Sequence, residues 1–392
     1  MREFATAAAD TPRIREIWEA CFDDTKAFGD WFFTHRYSPE QTLSYRENGE
    51  ILSNLQMVPY RVCLRGKEIE SWFIVGAATL PQARKKGHMA ALLEASFKEM
   101  HEAGVPVSHL YPFQYDFYRR YGYDICSERL LQRFSPADIL GSVGLQEASH
   151  WPAEVREIDN NTDVEALERC YQACMQHVDG YVVRNTRGFE LRLMEHALEN
   201  GGGLAAVRNG EICAYTLFAR QEKKVACAET VYAHPLDLAA LLGALGRRFK
   251  GMGTIEFSTP VSDTARYFLK DGRARAFIEP FDMLRIIDFA GLMETFEYPI
   301  DGQWAIGIQD AHAPWNEGCW KVEISNGRAH VERTDAAADF SCGIGAMAQI
   351  MCGLVTAKTM ARCGRLQYND FNQLLQFSEA LPALIPYIFE MY

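Results

Sequence analysis

Ile74-Val75-Gly76-Ala77-Ala78-Thr79-Leu80-Pro81-Gln82-Ala83-Arg84-Lys85-Lys86-Gly87-His88-Met89 decides how the first part of this chain folds. The opening residues suit a strand, and the closing ones begin a helix with Met89, Leu92, Leu93, Ser96, Phe97 and Met100 on one face at 3.6-residue periodicity. A short basic loop joins the two. The first-turn N–H groups of such a helix have no intrahelical partners, and with the positive end of the macrodipole they make a site for an anionic diphosphate. Gly87 lets the backbone approach closely, while Arg84, Lys85 and Lys86 add charge at the same point.

Upstream, Thr11-Pro12 supplies a cap and a first-turn proline to a helix carrying Ile14, Ile17, Trp18, Cys21 and Phe22. Residues 56–79 are β-rich and break at Arg65-Gly66-Lys67, which predicts a hairpin with 69–79 as its second arm. Residues 105–111 are the next expected strand. After a linker-like stretch at 149–152, strands over 204–208 and 212–220 flank an Asn209-Gly210 turn; a β-run at 225–232 and a helix over 238–249 follow. That order repeats the first part of the chain. From about Leu292 the pattern changes to a hairpin over 320–333 and helices over 344–355 and 371–381. The apolar end, with Leu384, Ile385, Tyr387, Ile388, Phe389, Met391 and Tyr392, is expected to dock rather than fray.

At roughly 150 residues per domain, a chain of 392 residues is expected to hold two or three domains. A composition of 48% hydrophobic and 23% charged residues fits a folded soluble protein, and the absence of an apolar run long enough for a bilayer argues against a membrane partner. The polar start of the chain leaves no room for a secretory signal, so a cytoplasmic protein is expected. A net charge of −12 disfavours nucleic acid and fits cationic substrates better. The eleven cysteines are scattered, with no C-x-x-C pair and no zinc-type Cys/His spacing, which reads as reduced thiols and no metal.

A solvated basic turn could also join a strand to a helix. A second run, Tyr111-Pro112-Phe113-Gln114-Tyr115-Asp116-Phe117-Tyr118-Arg119-Arg120-Tyr121-Gly122-Tyr123, makes the cofactor reading the stronger one. With Pro81-x-x-Arg84-x-x-Gly87 and the stretch Phe117 to Tyr123, the chain resembles the GNAT N-acetyltransferases, specifically their enhanced intracellular survival (Eis-like) branch. The resemblance implies an α+β (mixed α/β) architecture of tandem GNAT-like domains at 1–145 and 146–288, then a sterol-carrier-protein-like α+β domain at 289–392 whose C-terminus docks at the active site. It implies acetyl-CoA as cosubstrate, a small-molecule amine as acceptor, and a homo-oligomer, with a hexamer as one form. Ala77, Ala78 and Thr79 would line the acetyl-pantetheine; Arg84, Lys85, Lys86, Gly87, His88, Met89 and Ala90 would hold the diphosphate, and Phe113 and Gln114 would touch the cosubstrate farther along. Tyr118 would be the general acid and the carboxylate of Tyr392 the proton acceptor. Met89 departs from the Gly or Ala that many members have at its position. The second domain has Ala233-His234-Pro235-Leu236-Asp237-Leu238 where a phosphate loop would sit, and is expected to bind no acetyl-CoA.

As an acid for a departing thiolate, Tyr118 is expected to need its pKa lowered, with Arg119 and Arg120 as the sources of charge; it could instead merely pack in an aromatic run. The Tyr392 carboxylate could act as a base or as an electrostatic anchor for an amine, or the tail could simply complete the third domain's core. Asp23 and Trp31 are the candidate contacts to a cationic acceptor, although core packing and a solvated turn explain them as well. His88 and His109 are left outside the mechanism. The functional readings are an amine acetyltransferase acting on aminoglycosides, polyamines or lysine, a carrier of hydrophobic ligands, and a GNAT-like scaffold without activity.

Overall fold

The computed structural model describes residues 4–142, 149–268 and 275–391. The chain divides into two compact units, the first built from 1–127, 281–386 and 390–392, the second from 128–280 and 387–389.

In the first unit, α1 (Thr11–Cys21) and α2 (Lys26–His35) precede β1 (Thr42–Glu47), β2 (Glu50–Leu64) and β3 (Lys67–Thr79). The Arg65-Gly66 turn takes left-handed φ at both residues, 49° and 70°, so Leu64 faces Lys67 directly as a tight hairpin requires. Next come α3 (His88–Glu102), β4 (Val107–Leu110), α4 (Tyr115–Arg119) and β5 (Asp124–Ile125). Leu92, Leu93, Phe97 and Met100 of α3 are buried against Leu43, Leu55, Met57 and Ile74 of the sheet, so the apolar stripe read from sequence faces the core.

The second unit is a seven-stranded sheet. It contains β6 (Glu128–Phe134), β7 (Glu154–Glu157), β8 (Gly201–Arg208), β9 (Glu211–Arg220), β10 (Lys224–Tyr232), β11 (Thr254–Pro260) and β12 (Arg275–Pro280), in the order β12-β6-β11-β10-β9-β8-β7. The helix Pro235–Arg248 follows β10 as α3 follows β3. At its N-terminus the Asp237 carboxylate is fully buried and held by Trp151 and Arg208, at 2.6 and 3.2 Å, where the first unit has a basic loop. Tyr387 and Phe389 of the chain's end pack with Tyr171, Phe189 and Tyr215 in this unit's core, so the apolar tail is docked there. Tyr392 lies outside the described residues.

Strand membership departs from division at 145 and 288. β6 joins the second sheet, whereas β13 (Met283–Ile286) returns to the first and lies between β4 and β5, giving the order β1-β2-β3-β4-β13-β5. Met283, Leu284 and Ile286 are almost wholly buried, as a central strand requires. Neither β6 nor β13 has a local signal in the sequence, because their pairing partners lie so far away along the chain.

The remaining sheet, also in the first unit, comprises β14 (Gly302–Gln309), β15 (Gly318–Ser325), β16 (Arg328–Arg333), β17 (Phe340–Gly343) and β18 (Leu366–Tyr368), in the order β16-β15-β14-β17-β18. Trp304 and Phe340 fill its inner face against Phe377 of the helix Phe371–Ala380, with ring centroids 5.2 Å apart in both pairs. Arg285 of β13 reaches this part of the unit through a bidentate pair with Asp310, at 2.7 and 2.9 Å, with both side chains buried. Removing one partner leaves the other charge buried and unpaired, so Asp310→Ala is expected to destabilise the protein by about 3–5 kcal/mol, read as a lowered midpoint in urea unfolding.

Candidate active site

β3 is straight neither in pairing nor in register. Against β2, Gln56 faces Val75 and Asn54 faces Ala78, so Gly76 and Ala77 together stand opposite Leu55 as a bulge. Gly76 has φ 56°, and a Cβ there would lie 2.0 Å from Gln56 Oε1 and 2.4 Å from the Trp18 ring. On its other side β3 pairs with the parallel β4 only from Ser71 to Phe73, against Val107 to His109. The strands then part. β3 runs on through Ala77, Ala78 and Thr79, and Ser53 holds that end by contacts to the Ala78 carbonyl at 2.9 Å and the Thr79 hydroxyl at 2.7 Å.

The loop after β3 delivers the start of α3. Lys85 and Gly87 take left-handed φ of 63° and 86°, and no side chain caps the helix. Its opening N–H groups therefore await an acceptor from elsewhere. Arg84, Lys85 and Lys86 are exposed around them; Arg84 donates to the Thr79 carbonyl at 3.1 Å and Lys86 pairs with Glu47 at 3.4 Å. Met89 and Ala90 are half-buried in the first turn, so the side chain that departs from the Gly or Ala pattern packs toward the core. The His88 ring is buried and stacked on Tyr45 at 4.1 Å, which leaves its backbone, not its imidazole, as the part available to an anion.

Tyr118, on α4, is 4% exposed among Phe113, Phe117 and Tyr123. Burial pushes its phenol well above the ordinary tyrosine range, and neighbouring Tyr123 raises it further. The expected lowering by Arg119 and Arg120 is absent: Arg119 is engaged by Asp116 and Asp124, at 3.4 and 3.2 Å, and Arg120 is exposed. No hydrogen bond to the Tyr118 hydroxyl is found among the described residues. Phe113 and Gln114, just before α4, are both exposed.

On the helical side, Trp18 packs with Phe22 and Phe32 at 4.8 and 4.5 Å. Trp31 is buried, not part of an open aromatic surface, and its indole N–H has no partner among the described residues. Asp23 is exposed beside Asp24, whose carboxylate accepts from Trp18 at 3.0 Å.

Sequence reading missed the buried polar groups Gln56 and Asp282 and set a third, His109, outside the mechanism. Among the described residues both amide atoms of Gln56 lack partners beside the bulge, and a lone amide in the run Leu55-Gln56-Met57-Val58 was the available signal. His109, at the point where β3 and β4 part, is pulled down to about 3 by burial, and its Nδ1 meets the Ser71 hydroxyl at 2.7 Å. Asp282 is pushed up to about 6 by burial despite hydrogen bonds from Ser127 and Cys126.

The two glycines separate shape from strain. Gly76→Ala is expected to cost about 1–3 kcal/mol through overpacking, added to the strain of its positive φ. At Gly87 a Cβ meets nothing within 4 Å, so Gly87→Ala is expected to cost only the strain, about 1 kcal/mol. Urea titration of both variants measures the difference.

The acetyltransferase (GNAT) domain family matches residues 5–126, and the sterol carrier protein domain family matches 290–389. N-acetyltransferase Eis of Mycobacterium tuberculosis is 24% identical over 321 residues, covering 79% of this chain and 77% of the relative. Among solved structures, a probable N-acyltransferase from Enterococcus faecalis has the same fold at a TM-score of 0.87 and 20% identity, covering 98% of this chain and 97% of the other. Eis1 from Mycobacterium abscessus aligns at a TM-score of 0.79 and 17% identity, covering 99% of each chain.

Proposed function

We propose that this chain is an Eis-like N-acetyltransferase of the GNAT type that passes acetyl from acetyl-CoA directly to a primary amine of a small polycationic acceptor, aminoglycoside-like or polyamine, or of lysine. One observation carries the cosubstrate assignment: past the point at which it leaves β4, β3 runs on through Thr79 into a loop that delivers the uncapped, cation-flanked start of α3.

Bound there, acetyl-CoA supplies an activated thioester. Backbone amides from Lys85 to Ala90, with the Arg84, Lys85 and Lys86 side chains, hold its diphosphate by charge-assisted hydrogen bonds. Ala77, Ala78 and Thr79 offer backbone groups to the extended arm, and Phe113 and Gln114 flank it farther along. The bulge aims the β3 backbone into the gap between strands, where fixed N–H dipoles stabilise a developing oxyanion better than mobile water does.

Tyr118 is the acid. The burial that raises its phenol also raises a thiolate in the same cleft, so the hydroxyl remains protonated and gives up its proton as the sulfur departs. Asp23 offers exposed negative charge to a cationic amine, and Trp31 would back the acceptor side from beneath the surface. The Tyr392 carboxylate is carried over from the family resemblance as an acceptor-side anion or base. By the same resemblance the protein works in the cytoplasm as a homo-oligomer; no helix among the described residues is long and apolar enough to cross a membrane.

Thioester consumption with a panel of polycationic amines tests the reading. Tyr118→Phe should lower kcat by about 10²–10⁴-fold with little change in the KM for acetyl-CoA, whereas Arg84→Glu should mainly raise that KM. One residue appended after Tyr392 should also cause a large loss, and parental turnover would remove that carboxylate from the mechanism. In the pH profile of the parent, an alkaline limb near an ordinary tyrosine pKa of about 10 should be missing, because the phenol ionises only above that range. Failure to consume acetyl-CoA with any amine would leave the inactive-scaffold reading.

A further inference from the structure

Most buried carboxylates among the described residues face an arginine; Asp263, held by Gln132 and Tyr232, and Asp282 face none. Asp124 meets Arg119 and Arg365, Glu229 meets Arg184 and Arg192, Asp237 meets Arg208, and Asp310 meets Arg285. Asp282 is as deeply buried, at 3% exposure, but its neighbours are the Cys126 thiol, the Ser127 hydroxyl and the His109 imidazole, with the Glu390 carboxylate adding negative potential. An acid in such a place is costly unless a cation joins it.

The free atoms of these neighbours converge. Cys126 Sγ lies 3.1 Å from Asp282 Oδ2, His109 Nε2 lies 4.0 Å from the same oxygen, and all three ligand atoms fall within 4.8 Å of one another. The second polar atom of two of these side chains is already held: His109 Nδ1 by Ser71, and Asp282 Oδ1 by Ser127. Serines in those positions fix the ring and carboxylate orientation, as outer-shell partners of metal ligands do.

We propose that His109, Cys126 and Asp282 form a site for a divalent cation of the zinc class. Nitrogen, sulfur and oxygen donors together suit a borderline-soft ion; calcium and magnesium demand oxygen alone. Bonds of about 2.0–2.3 Å put tetrahedral ligand atoms about 3.3–3.7 Å apart, and the distances of 3.1 and 4.0 Å bracket that spacing. Three protein ligands leave a fourth position for a buried water or a further donor. The ligands come from β4, from the residue after β5 and from the residue before β13, so the cation ties the late strand to its two neighbours. The assignment does not depend on the acetyl-CoA reading.

Cobalt(II) is the probe. Full-length protein stripped with chelator and titrated with cobalt should take up one ion per chain and develop both a thiolate-to-cobalt charge-transfer band and the visible bands of tetrahedral cobalt, all displaced by zinc. Cys126→Ser should lose the charge-transfer band, Cys363→Ser, at an exposed thiol, should keep it, and Ser71→Ala should weaken cobalt binding by about 10–100-fold. A folded parent with no band, or a band that survives Cys126→Ser or disappears in Cys363→Ser, overturns the proposal. Circular dichroism of each variant separates loss of ligand from loss of fold.

Discussion

Insertion of β13 between β4 and β5 is the constraint on which the first unit rests. The strand brings Met283, Leu284 and Ile286 into the sheet's core and places Arg285 where it can pair with Asp310. It also positions Asp282 against Cys126 and Ser127. Core packing and the junction with the following sheet are therefore set by one short run of residues.

The candidate site divides its electrostatics between exposed and buried parts. Arg84, Lys85 and Lys86 remain in water, where long cationic chains can adjust to a flexible anion at little desolvation cost. Tyr118 and His109 lie where charge is expensive, so both stay neutral over the working range. The second unit has the same strand-to-helix layout and the opposite electrostatics: β10 also parts from its parallel neighbour β11 after four paired positions, but a buried Asp237 sits at the start of the helix. A shared topology thus presents an exposed basic loop in one unit and a neutralised ion pair in the other.

Local features were legible in the sequence because local physics decides them. The turns at Arg65-Gly66 and Asn209-Gly210, the apolar stripe of α3 and the basic loop before it depend on residues a few positions apart. The bulge at Gly76 was not visible, since it reflects the register of β2 against β3. The direction of the Tyr118 shift was misread because adjacent arginines suggested a field that Asp116 and Asp124 in fact absorb. His109, Cys126 and Asp282 follow no ligand spacing at all; only strand order makes them neighbours.

The late arrival of β13 also bears on biogenesis. A ribosome releases β4 and β5 long before residues 283–286 exist, so until then each has an unsatisfied hydrogen-bonding edge of the kind that invites mispairing. Folding of the N-terminal sheet is thereby coupled to completion of the intervening 128–280 segment, and a prematurely terminated chain would hold the cleft's residues without the strand that shapes it.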